Sequence, residues 1–150
     1  MQKNDVKTKK VLIDHEIRPT SLRSKLLSAF MSSKKPLAQS EVIQSTLSEM
    51  SKVDRVTVYR NIKLFLEKGL LHQASTNAYV YCRHNCDEPH GAHNHIILYC
   101  NSCSKHKELH SHASIKKFEK WFEAFSFFSP SEQISIQGTC LSCQENPTGP

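Results

Sequence analysis

Two cysteine pairs of the same form, Cys100-Asn101-Ser102-Cys103 and Cys140-Leu141-Ser142-Cys143, stand with 36 residues between them. A C-x-x-C unit is a tight turn that presents two thiolates close enough to share one ion. Two such turns offer four soft ligands, which close a tetrahedral zinc site and leave no open position for a substrate. A closed site of this kind is structural, and here it ties a central strand to the end of the chain. The competing reading is a pair of disulfides or four free buried thiols. A disulfide within C-x-x-C is usually redox-active, and no redox-fold pattern surrounds these pairs. Cys100, Cys103, Cys140 and Cys143 are therefore expected to bind a structural zinc.

At 150 residues the chain suits one large domain or two small ones. Its 38% hydrophobic content is modest, so a metal staple would help a small unit with a thin core. The N-terminus, Met1-Gln2-Lys3-Asn4-Asp5, is polar and no apolar run approaches a membrane span. The expectation is a cytoplasmic protein with reduced thiols and no membrane partner.

Charge and metal ligands are segregated. Residues 1–73 hold 14 Lys/Arg against 7 Asp/Glu, whereas residues 74–150 hold 6 against 7. Eight of the nine histidines lie between His72 and His112, together with Cys82, Cys86, Cys100 and Cys103. A basic half beside a neutral, ligand-rich half reads as a nucleic-acid binder carrying a second domain with other work.

Residues 1–17 read as a loose Lys-rich arm with a short helix at Val11–His15. A helix starts near Arg18-Pro19-Thr20-Ser21, with Pro in the first turn, and Leu22, Leu26, Leu27 and Phe30 form its apolar stripe. Ser32 to Pro36 breaks it. Ser40 caps a second helix with Val42, Ile43, Leu47 and Met50 inward. Ser51-x-x-Asp54 resembles the capping box of a third, Arg55 to Lys68, which stops at Gly69. Strands at Leu70–Gln73 and Tyr79–Arg83 flank the turn Ser75–Ala78. Three short helices and a hairpin make a winged helix-turn-helix.

Val58, Ile62, Phe65 and Leu66 form the buried stripe of the third helix. Arg55, Tyr59 and Lys63 fall on another face with Arg60 beside them. Arg and Lys neutralise phosphates, and Tyr offers a ring to a thymine methyl, so this face suits a recognition helix in double-stranded DNA. The bland alternative is a solvated basic face with a half-buried tyrosine.

Residues 84–94 form a polar hinge. Beyond it come strands at His95–Cys100 and Lys105–Leu109, a helix over Ser111–Phe125 and a strand at Ile134–Gln137. Ile115, Phe118, Trp121, Phe122 and Phe125 share one helix face and read as core and dimer interface. The whole is α+β: a winged-helix DNA-binding domain over 1–83, a hinge over 84–94, and a small α/β dimerisation and metal-binding domain over 95–150.

These residues resemble a known family. Arg55-Val-Thr57-Val-Tyr59-Arg60-Asn-Ile, with Glu67-Lys-Gly-Leu-Leu-His72, is similar to the recognition helix of the ferric uptake regulator superfamily. His93-x-His95, Cys100-x-x-Cys103, Lys107-Glu108 and Cys140-x-x-Cys143 follow in the family's order, and the likeness covers about residues 15–144. It implies a homodimeric, metal-responsive repressor acting on a palindromic operator, with Arg55, Thr57, Tyr59, Arg60 and Lys63 at the DNA.

The resemblance also implies a regulatory metal. The family's zinc-sensing branch uses a His ending the winged-helix motif, a Cys after the wing, a His in the hinge and a Glu beyond the first C-x-x-C. His72, Cys82, His93 and Glu108 supply each, with a one-residue gap needed in the wing. One thiolate, two imidazoles and one carboxylate suit Zn(II). An iron or peroxide sensor is expected to use only His, Asp and Glu, since a thiolate beside Fe(II) invites oxidation.

Two departures stand out. Iron-type members carry a His just before the second helix, where this chain has Lys35-Pro36-Leu37. Two extra residues separate His95 from Cys100, which makes His93 and His95 rivals for one ligand position or, since strand alternation sets both on one face, joint ligands. His84, Cys86 and His90 have no assigned role. His106, His110 and His112 read as solvated histidines ahead of a third ion site.

The leading expectation is a zinc-responsive repressor of metal-uptake genes, and not an enzyme. An iron or peroxide sensor of the same family is the alternative, with iron as the regulatory metal. A zinc-dependent hydrolase, or a zinc-storage or adaptor protein, comes from other classes. Neither uses the basic helix, and no residue stands out as a base beside an open zinc position.

Overall fold

The computed structural model describes residues 2–83, 95–110, 112–126 and 133–146. The chain divides into two compact units, Met1–Arg83 and His84–Pro150.

The first unit runs α1 (Gln2–Asp14), α2 (Ser21–Ser32), β1 (Leu37–Ala38), α3 (Gln39–Glu49), α4 (Arg55–Glu67), β2 (Leu71–Ser75) and β3 (Ala78–Tyr81). Its core gathers one apolar stripe from each helix: Leu12 and Ile17 at the end of α1, Leu26, Leu27 and Phe30 from α2, Val42 from α3, and Val58, Ile62 and Phe65 from α4. Most of these are below 4% exposed, so truncating Phe65 to Ala would cost on the order of 3–5 kcal/mol.

The arm expected at residues 1–17 is instead a helix of 13 residues. Its four lysines concealed a narrow buried line, Thr8 at 2% and Leu12 at 0% exposure, one turn apart. Glu16 follows with φ of 58°, and the Ile17 amide reaches back to the Leu12 carbonyl, so the helix ends in a left-handed turn without glycine. Lys68 Nζ holds the Glu16 carboxylate at 3.0 Å, joining that turn to the far end of α4.

Helix caps moved by one to three residues from their expected positions. Pro19 lies ahead of the first turn, because Thr20 is the N-cap and its hydroxyl accepts from the Arg23 amide at 3.3 Å. Ser40 lies inside α3, which begins after Ala38. There Glu41 turns back to accept from the Ala38 amide, half of a capping box with no side-chain oxygen at the cap. Asp54, not Ser51, caps α4 and accepts from the Thr57 amide at 2.7 Å.

The stop at Gly69 has the expected cause. With φ of 69° it lets the Gly69 amide reach Leu66 and the Leu70 amide reach Phe65 at 2.8 Å, a Schellman motif that aims the chain straight into β2. β2 and β3 pair antiparallel about Thr76-Asn77, and Ala74 is the extra residue of a bulge between Gln73 and Ser75. β1 adds a third strand in the order β1-β3-β2. Two residues are too short for a sequence pattern, so β1 was not foreseen.

The second unit contains β4 (His95–Cys100), β5 (His106–His110), α5 (His112–Ala124), β6 (Gln133–Gly138) and α6 (Leu141–Glu145). Its sheet has the order β5-β4-β6, with β5 antiparallel and β6 parallel to the central β4. Ile96 and Ile97 of the central strand are buried at 4% and 0% exposure. On α5 the aromatic stripe is divided: Phe118 and Phe122 are half-buried, whereas Trp121 and Phe125 are exposed and meet edge to face at 5.9 Å.

The hinge expected at 84–94, with His84, Cys86, His90 and His93, lies outside the described residues. His95, His110 and His112 are placed by backbone alone.

Candidate functional site

The four cysteines converge within the second unit. β4 ends at Cys100, and the turn after it returns through Ser104, whose φ of 58° lets its amide bond the Cys100 carbonyl at 2.9 Å. β6, parallel to β4, ends beside that turn: the Asn101 amide donates to the Gly138 carbonyl at 2.8 Å. Cys140 then caps α6, and Cys143 sits one turn along with its amide on the Cys140 carbonyl. The parallel register of β4 and β6 thus brings two pairs distant in sequence to the same end of one sheet.

All four sulfurs lie within 4.8 Å of one another, and Cys103 Sγ is 3.8 Å from Cys140 Sγ. A tetrahedron with Zn–S bonds of about 2.3 Å has edges of about 3.8 Å, whereas a disulfide would need about 2.05 Å. The donor set fits zinc on number, softness and spacing. The electrostatics favour thiolate at one corner. The Cys140 amide, 3.3 Å from Cys100 Sγ, and then the Cys103 amide bring the Cys100 thiol down to about 6. Hydrogen bonding to the sulfurs of Cys140 and Cys103 pushes Cys143 up to about 12.

A second pair of soft donors forms within the first unit. His72 on β2 stands opposite Val80, and Cys82 continues β3 with its amide on the Leu70 carbonyl at 3.0 Å. Residues two apart on a strand share a face, so His72 and Cys82 are diagonal neighbours on one side of the hairpin. Their donor atoms lie within 4.8 Å of each other. Both are buried, His72 at 4% and Cys82 at 6% exposure. Leu71 and Tyr81, paired one step away, occupy the opposite face. In the second unit Glu108 pairs with Ile97 in the sheet and is half-buried.

α4 presents the residues expected at DNA. Arg55, Tyr59, Arg60 and Lys63 are exposed, and Lys63 lies 3.8 Å from Glu67 one turn on. Thr57 is half-buried: its amide is taken by Asp54, and its carbonyl accepts from Asn61 Nδ2 at 2.7 Å, so it fixes the first turn of α4. An open groove of about 490 Å³ runs beside Arg55, lined by Gln39, Ser40, Ile43, Gln44 and Asn77. Gln39 and Asn77 were not singled out by sequence, since only the third strand brings the wing turn to the start of α3.

The fold and the cysteine cluster define a winged-helix protein joined to a small α/β unit with a zinc-type site. Residues 14–134 match the model of the ferric uptake regulator family, and the chain belongs to that family. The Ferric uptake regulation protein of Synechococcus elongatus is 29% identical over 131 residues, covering 86% of this chain and 87% of that protein. The Zinc uptake regulation protein of Escherichia coli is 31% identical over 90 residues, covering 59% of this chain and 51% of that protein. A solved structure, a zinc uptake regulator complexed with zinc and DNA, shares the fold with a TM-score of 0.77 at 22% identity, covering 99% of this chain and 97% of that one. The protein is accordingly a metal-responsive, DNA-binding transcriptional regulator, of a family of regulators and not of enzymes. Among the described residues no helix is long and apolar enough to cross a membrane.

Proposed function

We propose that this protein is a zinc-responsive repressor of metal-uptake genes, acting as a homodimer on a palindromic operator. The carrying observation is the buried Cys82 thiol beside the His72 imidazole. A thiolate and an imidazole together suit Zn(II), and a thiolate suits an iron or peroxide sensor poorly. The likeness to the zinc uptake regulators supports the same reading. Glu108 and either His93 or His95 complete the regulatory set. Zinc would be held by His72 and Cys82 of the wing with Glu108 and the hinge histidine as further donors, and would supply a centre that favours one arrangement of those donors. An effector that binds one arrangement better than others shifts the population toward it.

Each residue then has its own task. His72 and Cys82, anchored by the β2–β3 ladder, carry the response from the wing. Arg55, Arg60 and Lys63 neutralise phosphates, Tyr59 contacts bases, and Thr57 keeps the first turn of α4 in shape. The exposed Trp121 and Phe125 form part of the dimer surface, and sedimentation equilibrium should give twice the 17.1 kDa chain mass. A two-fold dimer sets two recognition helices about one DNA turn apart, on the order of 34 Å.

Cys82→Ser tests the reading. The variant should retain about one zinc per chain, because the four-cysteine site is separate, and its DNA affinity should no longer rise with zinc. A variant that still binds DNA at wild-type zinc concentrations would move the regulatory site to His90, His93, His95 or the histidines from His106 to His112.

A further inference from the structure

The solvent face of α4 carries an apolar residue that the fold does not use. Val56 is 56% exposed and has no place in the hydrophobic core or among the residues packed against it. It lies in the first turn, two residues past the Asp54 cap, with Arg55, Tyr59, Arg60 and Lys63 exposed around it. Val56, Tyr59, Arg60 and Lys63 follow the spacing i, i+3, i+4, i+7, which sets them in one stripe. Local stability gives no reason for valine here. A β-branched residue is a poorer helix former than Ala, Lys or Glu, and an exposed apolar side chain gains nothing from the core.

We infer that Val56 is a specificity-determining residue that reads a thymine C5-methyl in the major groove, beside the contact made by Tyr59. The inference rests on the reading that α4 is the recognition helix. The N-terminal residues of such a helix are the ones that meet base edges. Among the four bases thymine alone offers a methyl group there, and an apolar side chain is its complement. Val56 is also pre-set for the task. The Asp54 carboxylate holds the Thr57 amide at 2.7 Å, which fixes the turn that carries Val56. A helical valine has essentially one side-chain rotamer, so little freedom is lost on contact.

The test uses the full zinc-loaded protein and duplexes that it selects from a random-sequence pool. In each selected duplex one thymine at a time is replaced by deoxyuridine, which removes the methyl and leaves base pairing intact. The wild-type protein should lose about fourfold in affinity at a particular thymine of the half-site, the ratio for one buried methyl-sized group. Val56→Ala, which keeps only the Cβ methyl, should show a clearly smaller loss at that thymine, keep the wild-type response at every other thymine, and keep the slope of affinity against salt, since no phosphate contact is removed. Alanine favours the helix at this exposed position, so folding is retained. A Val56→Ala protein that discriminates thymine from uracil everywhere as wild type does would overturn the inference and leave the recognition-helix reading standing. Failure of the wild-type protein to enrich any sequence would overturn both.

Discussion

At Cys103 and Cys140 the chemistry depends on a distance of 3.8 Å between two sulfurs that belong to different turns. Neither turn has an apolar core of its own: the residues about the first pair, Asn101 and Ser102, are exposed, and Leu141 in α6 is 68% exposed. The ion would therefore supply what packing does not, and ligation energy becomes folding energy. Cys140→Ser should lose about one zinc per chain and melt the second unit, while the first unit, whose core contains none of these four cysteines, stays folded. Zinc analysis and hydrogen exchange check this together: protection lost over residues 95–146 and kept over α2 and α4 is the expected pattern. Unchanged protection with a zinc lost would show that the metal is dispensable to the fold.

α4 supplies Val58, Ile62 and Phe65 to the core of the first unit and carries the DNA face proposed above, and Asp54 governs its start. Its carboxyl is held below the ordinary carboxylate value of 3.8, chiefly by the Thr57 backbone amide and then by the Thr57 hydroxyl. A group with a lowered folded-state pKa contributes stability above its unfolded value and loses it as pH falls through the folded value. The cap should therefore be intact above about pH 4 and fail in stronger acid. Asp54→Asn keeps an oxygen at the cap without a titrating charge. Its melting temperature should fall less steeply than wild type below pH 4, and Asp54→Ala should melt lower at neutral pH. Equal acid slopes for wild type and Asp54→Asn would place the acid sensitivity elsewhere.

The elements that were legible in sequence had their own periodicity or punctuation. α4 had a 3.6-residue apolar stripe ending in Gly69, and β4 was a run of apolar residues closing on a cysteine. What escaped was set by tertiary context. α1 buries only a narrow line beneath its lysines, β1 exists because β3 offers it an edge, and α6 is a short turn placed by the cysteine at its start. The caps at Ala38 and Asp54 were misassigned because serine is a frequent cap. At α3 the sequence places Glu41, and not a cap side chain, to hold the first turn. The His72 and Cys82 pair was named by family likeness, and its physical basis, a diagonal across an antiparallel ladder, needed the register of β2 and β3. Val56 carries no signal of its own in the sequence, because nothing in the pattern separates an exposed valine of an amphipathic helix from a core one.

For the molecule as a whole, the sequence divides its labour as the structure divides its chain. The positive surplus lies in the first unit, and the four-cysteine site lies in the second. On the function proposed above, His72 and Cys82 of the first unit are donors to the regulatory metal, and the four-cysteine site of the second unit is separate from it. The proposed function calls for two zinc ions per chain, one at the four-cysteine site and one at the regulatory set. The most direct measurement is therefore DNA affinity against zinc bound per chain, beginning from protein that holds one zinc, with Fe(II) titrated in parallel. Weak, unspecific binding is expected at one zinc, then a rise to specific binding as the second is taken up, and no such rise with Fe(II). Full specific affinity at one zinc per chain, or a rise with Fe(II) in place of zinc, would contradict the proposed function.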